Sequence, residues 1–400
     1  MISTKKKKVF SLLAGGLSFL LCLLVAEGVI RLHNKAEKRI RPIWIPDEYC
    51  GYLHTPNNQF NYEIENEGVR RVRQHRTNAY GFIGRELALK KADRVIRVAI
   101  LGDSFTEALQ VKEEDNFSLR LEGQLNSLFA RSNLKFEIIN AGVSGYSPIS
   151  EYVYYKRVIS KFKPDVVLLQ LFANDVFEDN KAQAMSLMDA DGLPFKLSRY
   201  FLAKNQQLKK EKKYLNNIEK APSLISRLGA FLVDKSRFAE YIYIRCVKAN
   251  KNSALSREMR QVPEFFANNY LFTVKPGNPL FKDKVFRDRK VTQTKKYIDA
   301  LRQLVEADDA RLGIFYVPIK DQMQSIKTAN TFLNDALKQF SDEQDVPFLD
   351  LLSVFNQFTP KQVYLLDDGH LKEFGHKITA ESLMAWLLDS DMLNAFKSER

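Results

Sequence analysis

From residue 95 to the carboxyl terminus, short apolar runs rich in β-branched residues alternate with amphipathic stretches. The runs are "VIRVAIL" (95–101), "FEIIN" (136–140), "DVVLLQLF" (165–172), "RLGIFYV" (311–317) and "VPFLDLL" (346–352). Each is short, bounded by turn formers and nearly continuous in apolar character, which predicts strands buried on both faces. The stretches between them have helical spacing. Within 113–129, Phe117, Leu119, Leu121, Leu125 and Leu128 fall broadly along one face, and 151–162, 294–310, 331–343 and 378–388 behave similarly. Strands alternating with helices predict an α/β fold with a parallel sheet covered on both sides, whose ligands gather at the carboxyl ends of the strands.

Two regions break the alternation. Residues 180–290 are basic, irregular and partly helical, and read as an insertion in a domain spanning 95–400. Residues 32–94 show no sustained period and carry the turn formers "TPNNQ" and "RTNAYGF", which predicts an extended connector lying against that domain.

The amino terminus changes the picture further. "KKKK" precedes "VFSLLAGGLSFLLCLLVA" (9–26), a stretch without a charge. At about 1.5 Å per residue it crosses a hydrocarbon core, near the lower length limit. The run is longer than a usual signal-peptide core and no A-x-A site follows it, so residues 1–31 read as a basic tail and an uncleaved transmembrane anchor, with a cleaved signal as the rival reading. Basic residues flank the span on both sides; the short tail, similar to a signal n-region, favours an exported body.

With 61 Lys and Arg against 48 Asp and Glu, the formal charge is +13. No nucleic-acid-binding signature accompanies it, so an anionic membrane surface, an acidic polymer or a plain solvated surface accounts for the charge. Cys22, Cys50 and Cys246 are far apart and have no metal-ligand spacing. Separate thiols are the simpler reading, with a Cys50–Cys246 disulfide the alternative in an oxidising compartment. No residue pattern calls for a cofactor or a metal.

The chemistry starts where the first apolar run stops, at "GDS" (102–104). A serine hydroxyl needs a base to take its proton, and the base needs an orienting group. "LLDDGHLKEFGH" holds Asp367 three residues before His370, just ahead of the last helix, where one turn can set Asp367 on one imidazole nitrogen and leave the other to face Ser104. Donors for a developing oxyanion are offered by "NAGVSGYS" (140–147), with glycines at a strand end, and by the amide of Asn174 in "FAND". Asp103 and Asp175 read as braces of their turns, His376, one helical step beyond His370, as a residue without a catalytic role, and His33, His54 and His75 as surface or packing residues of the connector. The nucleophile elbow G-x-S-x-G is absent, which argues against the α/β-hydrolase fold.

These four pieces, in this order, resemble the SGNH (GDSL) hydrolase superfamily over about 76–175 and 293–390. The chain looks most like membrane-anchored bacterial members with a "TN-x-x-GF" stretch, here Thr77, Asn78, Gly81 and Phe82, which are often associated with extracellular polysaccharides. The resemblance implies a three-layer α/β/α, flavodoxin-like fold. It also implies Ser104 as nucleophile, His370 as general base and Asp367 as its orienting group. The backbone N–H groups of Ser104 and Gly145 and the side chain of Asn174 would form the oxyanion hole. Phe172 departs from the family, which has glycine at that place, and either narrows the site or packs under it.

The implied reaction is metal-free hydrolysis of an O-acyl ester, such as an acetyl ester on an extracytoplasmic carbohydrate, through a covalent acyl-enzyme. The implied location is the bacterial inner membrane, with a single pass and the catalytic body facing the periplasm. An O-acyltransferase of a cell-surface polysaccharide would use the same residues. A non-catalytic polysaccharide-assembly protein is the reading from another class, and the intact set of four motifs argues against it.

Overall fold

The computed structural model describes residues 43–184, 186–197, 284–324 and 331–393. The apolar segment 9–26, His33, Cys22, Cys246 and most of the insertion at 180–290 lie outside the described residues. Among the described residues, no helix is long and apolar enough to cross a membrane.

Before the sheet come four short strands: β1 (Trp44–Asp47), β2 (Gly51–His54), β3 (Gln59–Asn66) and β4 (Val69–Arg76). β1 pairs antiparallel with β2, and β3 with β4. The extended connector expected at 32–94 is thus corrected from Trp44 onward, where the chain forms two hairpins. In β3 the inward Phe60, Ile64 and Asn66 alternate with outward Gln59, Asn61, Glu63 and Glu65. Glu67 and Gly68, both at positive φ, make the two-residue turn. The turn formers around this period-2 signal hid it, because β4 has arginines on both of its faces.

The main sheet contains β5 (Val95–Gly102), β6 (Lys135–Gly142), β7 (Val166–Leu171), β10 (Arg311–Tyr316) and β11 (Phe348–Asp350). All four pairings are parallel, in the order β6-β5-β7-β10-β11. This is the doubly wound 2-1-3-4-5 arrangement, in which the chain reverses direction beside the first strand and leaves a crevice at the carboxyl ends. All five expected strands form. The last is shorter than the run 346–352 suggested, since Asp350 caps the next turn through a bond from the Leu352 amide, 2.9 Å. A small hairpin, β8 (Leu187–Met188) with β9 (Pro194–Lys196), opens the expected insertion.

Nine helices of the described residues follow the strands: α1 (Ser104–Glu107), α2 (Phe117–Leu128), α3 (Pro148–Arg157), α4 (Asp175–Ala184), α5 (Lys284–Ala307), α6 (Phe332–Gln344), α7 (Leu352–Phe355), α8 (Pro360–Val363) and α9 (Glu373–Asp389). Alternate residues of each strand serve opposite layers. Val98 and Ile100 pack with Phe117 and Leu121 of α2 and with Leu383 and Leu387 of α9. Ala99 and Leu101 pack with Val153 of α3, Leu301 of α5 and Leu337 of α6. Each fully buried Leu, Val or Phe contributes about 1.5–3 kcal/mol, so these two layers are the main source of stability. The hairpins belong to the same contact-defined unit as the sheet, Arg41–Phe201 with Asn269–Arg400.

The "TN-x-x-GF" stretch joins hairpins and sheet. The Thr77 hydroxyl donates to the Thr55 carbonyl, 2.6 Å. The Asn78 side chain accepts from the amides of Tyr80 (2.9 Å) and Phe82 (3.0 Å) and donates to the Arg85 carbonyl, 3.0 Å. Phe82 is buried, with its ring centroid 5.1 Å from that of Phe162. The fully buried Arg97 pairs with Glu137 at 2.8 Å and donates to the carbonyls of Ala88, Leu89 and Phe162. The segment leading into β5 is therefore stitched to the sheet.

Candidate active site

β5 ends at Gly102, and Asp103 starts α1 as its N-cap, accepting from the Phe105 amide at 2.9 Å. The expected brace role of Asp103 is what the geometry shows. Ser104 is the first residue of α1, which ends after one turn at Ala108, in the left-handed region. α1 lies against the end of β6 so closely that a Cβ on Gly142 would stand 2.2 Å from the Glu107 nitrogen. Only glycine permits that approach. Asn140 secures the contact, its amide donating to the Thr106 carbonyl at 2.7 Å and to Ser118 Oγ at 2.9 Å.

His370 arrives from the far end of the chain. Its loop is closed by backbone bonds: Gly369 N–H donates to the Leu365 carbonyl, and Leu365 N–H to the His370 carbonyl, both at 2.8 Å. His370 Nε2 stands 2.8 Å from Ser104 Oγ. Both side chains are buried, and the imidazole packs against Phe105 with ring centroids 5.0 Å apart. Phe172 lies beneath, 4.4 Å from the Phe105 ring and 2% exposed, so it packs under the site and does not narrow its mouth.

The orienting carboxylate is a correction. Asp368, not Asp367, bonds His370 Nδ1. Gly369 at φ 82° turns the chain so that the Asp368 side chain folds back onto the imidazole. Asp367 is exposed and faces the tip of the β3–β4 hairpin: its carboxylate accepts from the Glu67 amide, and its own amide donates to Asn66 Oδ1 at 3.2 Å. Two adjacent aspartates at 367 and 368 leave the choice open to spacing; the left-handed glycine settles it.

Electrostatics follow the geometry. Burial alone disfavours the imidazolium of His370, but the carboxylate of Asp368, aided by Asp103 and Glu107, outweighs it and raises the pKa above the ordinary histidine value. Burial pushes Asp368 up, yet His370 and Lys320 more than reverse this and hold it below the usual carboxylate range. Asp103 is pushed up to about 6 by burial, opposed by its bond from the Phe105 amide. His376 stacks on Phe117, accepts from that residue's amide at 3.4 Å, and is lowered to about 3 by burial. His75 sits inward on β4, 3.0 Å from the Leu109 carbonyl.

Gly145 and Asn174 sit on the loops that follow the two strands flanking β5. Gly145 has φ 78°, a conformation that favours glycine, and among the described residues neither its amide nor that of Ser104 makes a hydrogen bond. The Asn174 side chain stands beside the Asp103 carboxyl. Asp175 braces its loop as expected, accepting from the Phe172 amide at 2.7 Å. Cys50 is a buried thiol, raised by burial and by Asp47. Among the described residues, no group of three or more His, Cys, Asp or Glu could hold a metal ion.

Sequence reasoning also missed the buried Glu107. Glu107, three residues after Ser104, accepts from Trp44 Nε1 at 3.0 Å and lies 2.5 Å from His54 Nε2, while Ser144 Oγ donates to its second oxygen. The i, i+3 spacing from Ser104 along α1 was the available signal. The two partners from the hairpins, Trp44 and His54, had none.

No family model matches the chain, and no curated protein matches it. Among solved structures it is similar to a two-domain esterase active on acetylated mannans, at 10% identity and TM-score 0.37, covering 74% of this chain and 49% of that one. It is also similar to an acetylxylan esterase from Geobacillus stearothermophilus, at 12% identity and TM-score 0.39, covering 73% and 94%. A third is an acetyl xylan esterase at 15% identity and TM-score 0.38, covering 72% and 98%. The chain thus spans about half the length of the first of these.

Proposed function

We propose that the protein is a serine ester hydrolase that works through a covalent acyl-enzyme. The observation that carries this reading is the buried line from Ser104 Oγ to His370 Nε2, 2.8 Å, continued from Nδ1 to Asp368. A hydroxyl so placed has its proton acceptor, and the acceptor has its orienting charge. Ser104 Oγ attacks the ester carbonyl as its proton passes to His370 Nε2. The tetrahedral oxyanion is received by the amides of Ser104 and Gly145 and the side chain of Asn174. His370 returns the proton to the leaving alcohol, and a water, deprotonated by the same imidazole, then releases the acid. Asp368 stabilises the imidazolium formed in both halves.

The substrate class is an O-acyl ester, acetyl foremost, on a carbohydrate outside the cytoplasm. The sequence resemblance to membrane-anchored, polysaccharide-associated members of the SGNH superfamily supports it, with residues 9–26 as the anchor and the catalytic body exported. A test joins both parts: purified protein is incubated with an acetylated oligosaccharide, and a fluorophosphonate probe is used to label the serine. Free acetate as main product, with the label on Ser104, is the expected result. Acetyl groups moved chiefly onto a second sugar would make the protein a transferase with the same acyl-enzyme; labelling elsewhere would overturn the reading. Fusing a reporter active only outside the cytoplasm after residue 400 tests the orientation.

A further inference from the structure

Ser144 C=O and Gly145 N–H belong to one peptide group. A trans peptide is planar, so its carbonyl and its amide point in opposite directions, and whatever fixes one end aims the other. The described peptide bonds are all trans. The Tyr52 hydroxyl donates to the Ser144 carbonyl at 2.6 Å. Tyr52 comes from β2, outside the five-stranded sheet, and is buried. Its ring meets that of Tyr146 edge to face at 5.3 Å, and the Tyr146 hydroxyl donates back to the Tyr52 carbonyl at 2.5 Å. Ser144 is also held through its side chain: its Oγ donates to Glu107, which sits on the one-turn helix of Ser104. A Cβ on Gly145 would lie 3.1 Å from the Tyr52 oxygen, so hydroxyl and glycine are fitted to one another.

We propose that Tyr52 is a positioning residue for the reaction: by holding the Ser144 carbonyl, it aims the Gly145 amide at the oxyanion. This rests on the acyl-enzyme reading given above. In this role Tyr52 acts through the peptide whose carbonyl it holds. Burial, with Glu178, Glu107 and Asp103 nearby, keeps the phenol pKa well above its ordinary value, so the hydroxyl remains a donor throughout the neutral range.

The test compares Tyr52→Phe with the unaltered full chain, using p-nitrophenyl acetate as substrate and a trifluoromethyl ketone as the tetrahedral mimic. Active sites are counted by fluorophosphonate titration, so partial misfolding does not enter the rate per site. Removing an oxyanion donor costs about 10²–10³-fold in kcat, and misaiming one costs less. The expected result is a loss of about 10- to 100-fold in kcat per site, KM within about twofold, and mimic affinity reduced by a factor that tracks kcat/KM. A Tyr52→Phe protein that is merely less stable, with kcat per site and mimic affinity unchanged, overturns the proposal. Ser104→Ala separates the two levels: retained esterase activity there defeats the acyl-enzyme reading, whereas an inactive Ser104→Ala beside a fully active Tyr52→Phe defeats only the positioning role.

Discussion

Residues 95–172 and 311–393 hold every side chain of the serine–histidine–aspartate line, while residues 43–94 hold none of them. Yet the earlier region reaches the site at several points. Tyr52 holds a carbonyl beside Gly145, Trp44 and His54 meet Glu107, and Asn66 with Glu67 takes up Asp367. The sheet places Ser104, Gly145 and Asn174 by topology, after the ends of three neighbouring strands, and the loop before α9 brings in Asp368 and His370. The hairpins act on the peptides and carboxylates next to those groups. On the proposed mechanism, reactivity and part of its alignment come from different stretches of chain, and a substitution in each should fail differently.

The largest effect is expected within the sheet. Ser104→Ala should lower kcat by about 10⁶-fold, leaving whatever the oxyanion donors and binding provide, as read in a steady-state ester assay. Next comes the pair of aspartates. Asp368→Asn should cost about 10⁴-fold in kcat, because the imidazole loses both its tautomer and its counter-charge. Asp367→Asn, at the hairpin tip, should stay within about tenfold; equal losses from both would contradict the assignment of Asp368.

A smaller effect is one of position along the pH axis. His370 must be neutral to accept a proton, and its pKa is raised above the ordinary value, so kcat/KM should rise with pH through a midpoint above that of an unperturbed histidine. In Asp368→Asn the main charge opposing burial is gone and only Asp103 and Glu107 still act against it, so the residual activity should show its limb displaced to lower pH. An unmoved limb would mean that another group controls it.

Stability sharpens the comparison from the other side. Phe82→Ala, at the junction of hairpins and sheet, should cost about 3–5 kcal/mol in denaturant unfolding, with one transition. A separate, earlier transition for the hairpins would make them an accessory layer. The smallest effect belongs to the outer face of β4: Val72, 51% exposed, should tolerate lysine within about 0.5 kcal/mol and without change in kcat.

Much of this arrangement was legible beforehand for a physical reason. Strands buried on both faces leave long apolar runs, so β5, β6, β7 and β10 appear in the letters of the chain, and the small residues after them mark the crevice. Ser104 and His370 were found because serine at a strand end and histidine before a helix are rare in combination with the other two motifs. The hairpins were not found. Half of β4 is arginine, and its pairing with β3 depends on a turn whose worth appears only when both strands have a surface to lie on.

The order of residues was enough to settle the layers and the strand ends and to single out Ser104 and His370, which the fold brings together, since burial pattern and chain direction are local properties. Which of two adjacent aspartates faces the imidazole was decided by a single left-handed glycine. That a tyrosine ninety-two residues away grips the Ser144 carbonyl was decided by how separate elements pack. Directions of hydrogen bonds between distant segments are set only once the backbone is closed in three dimensions, and no spacing along the chain encodes them.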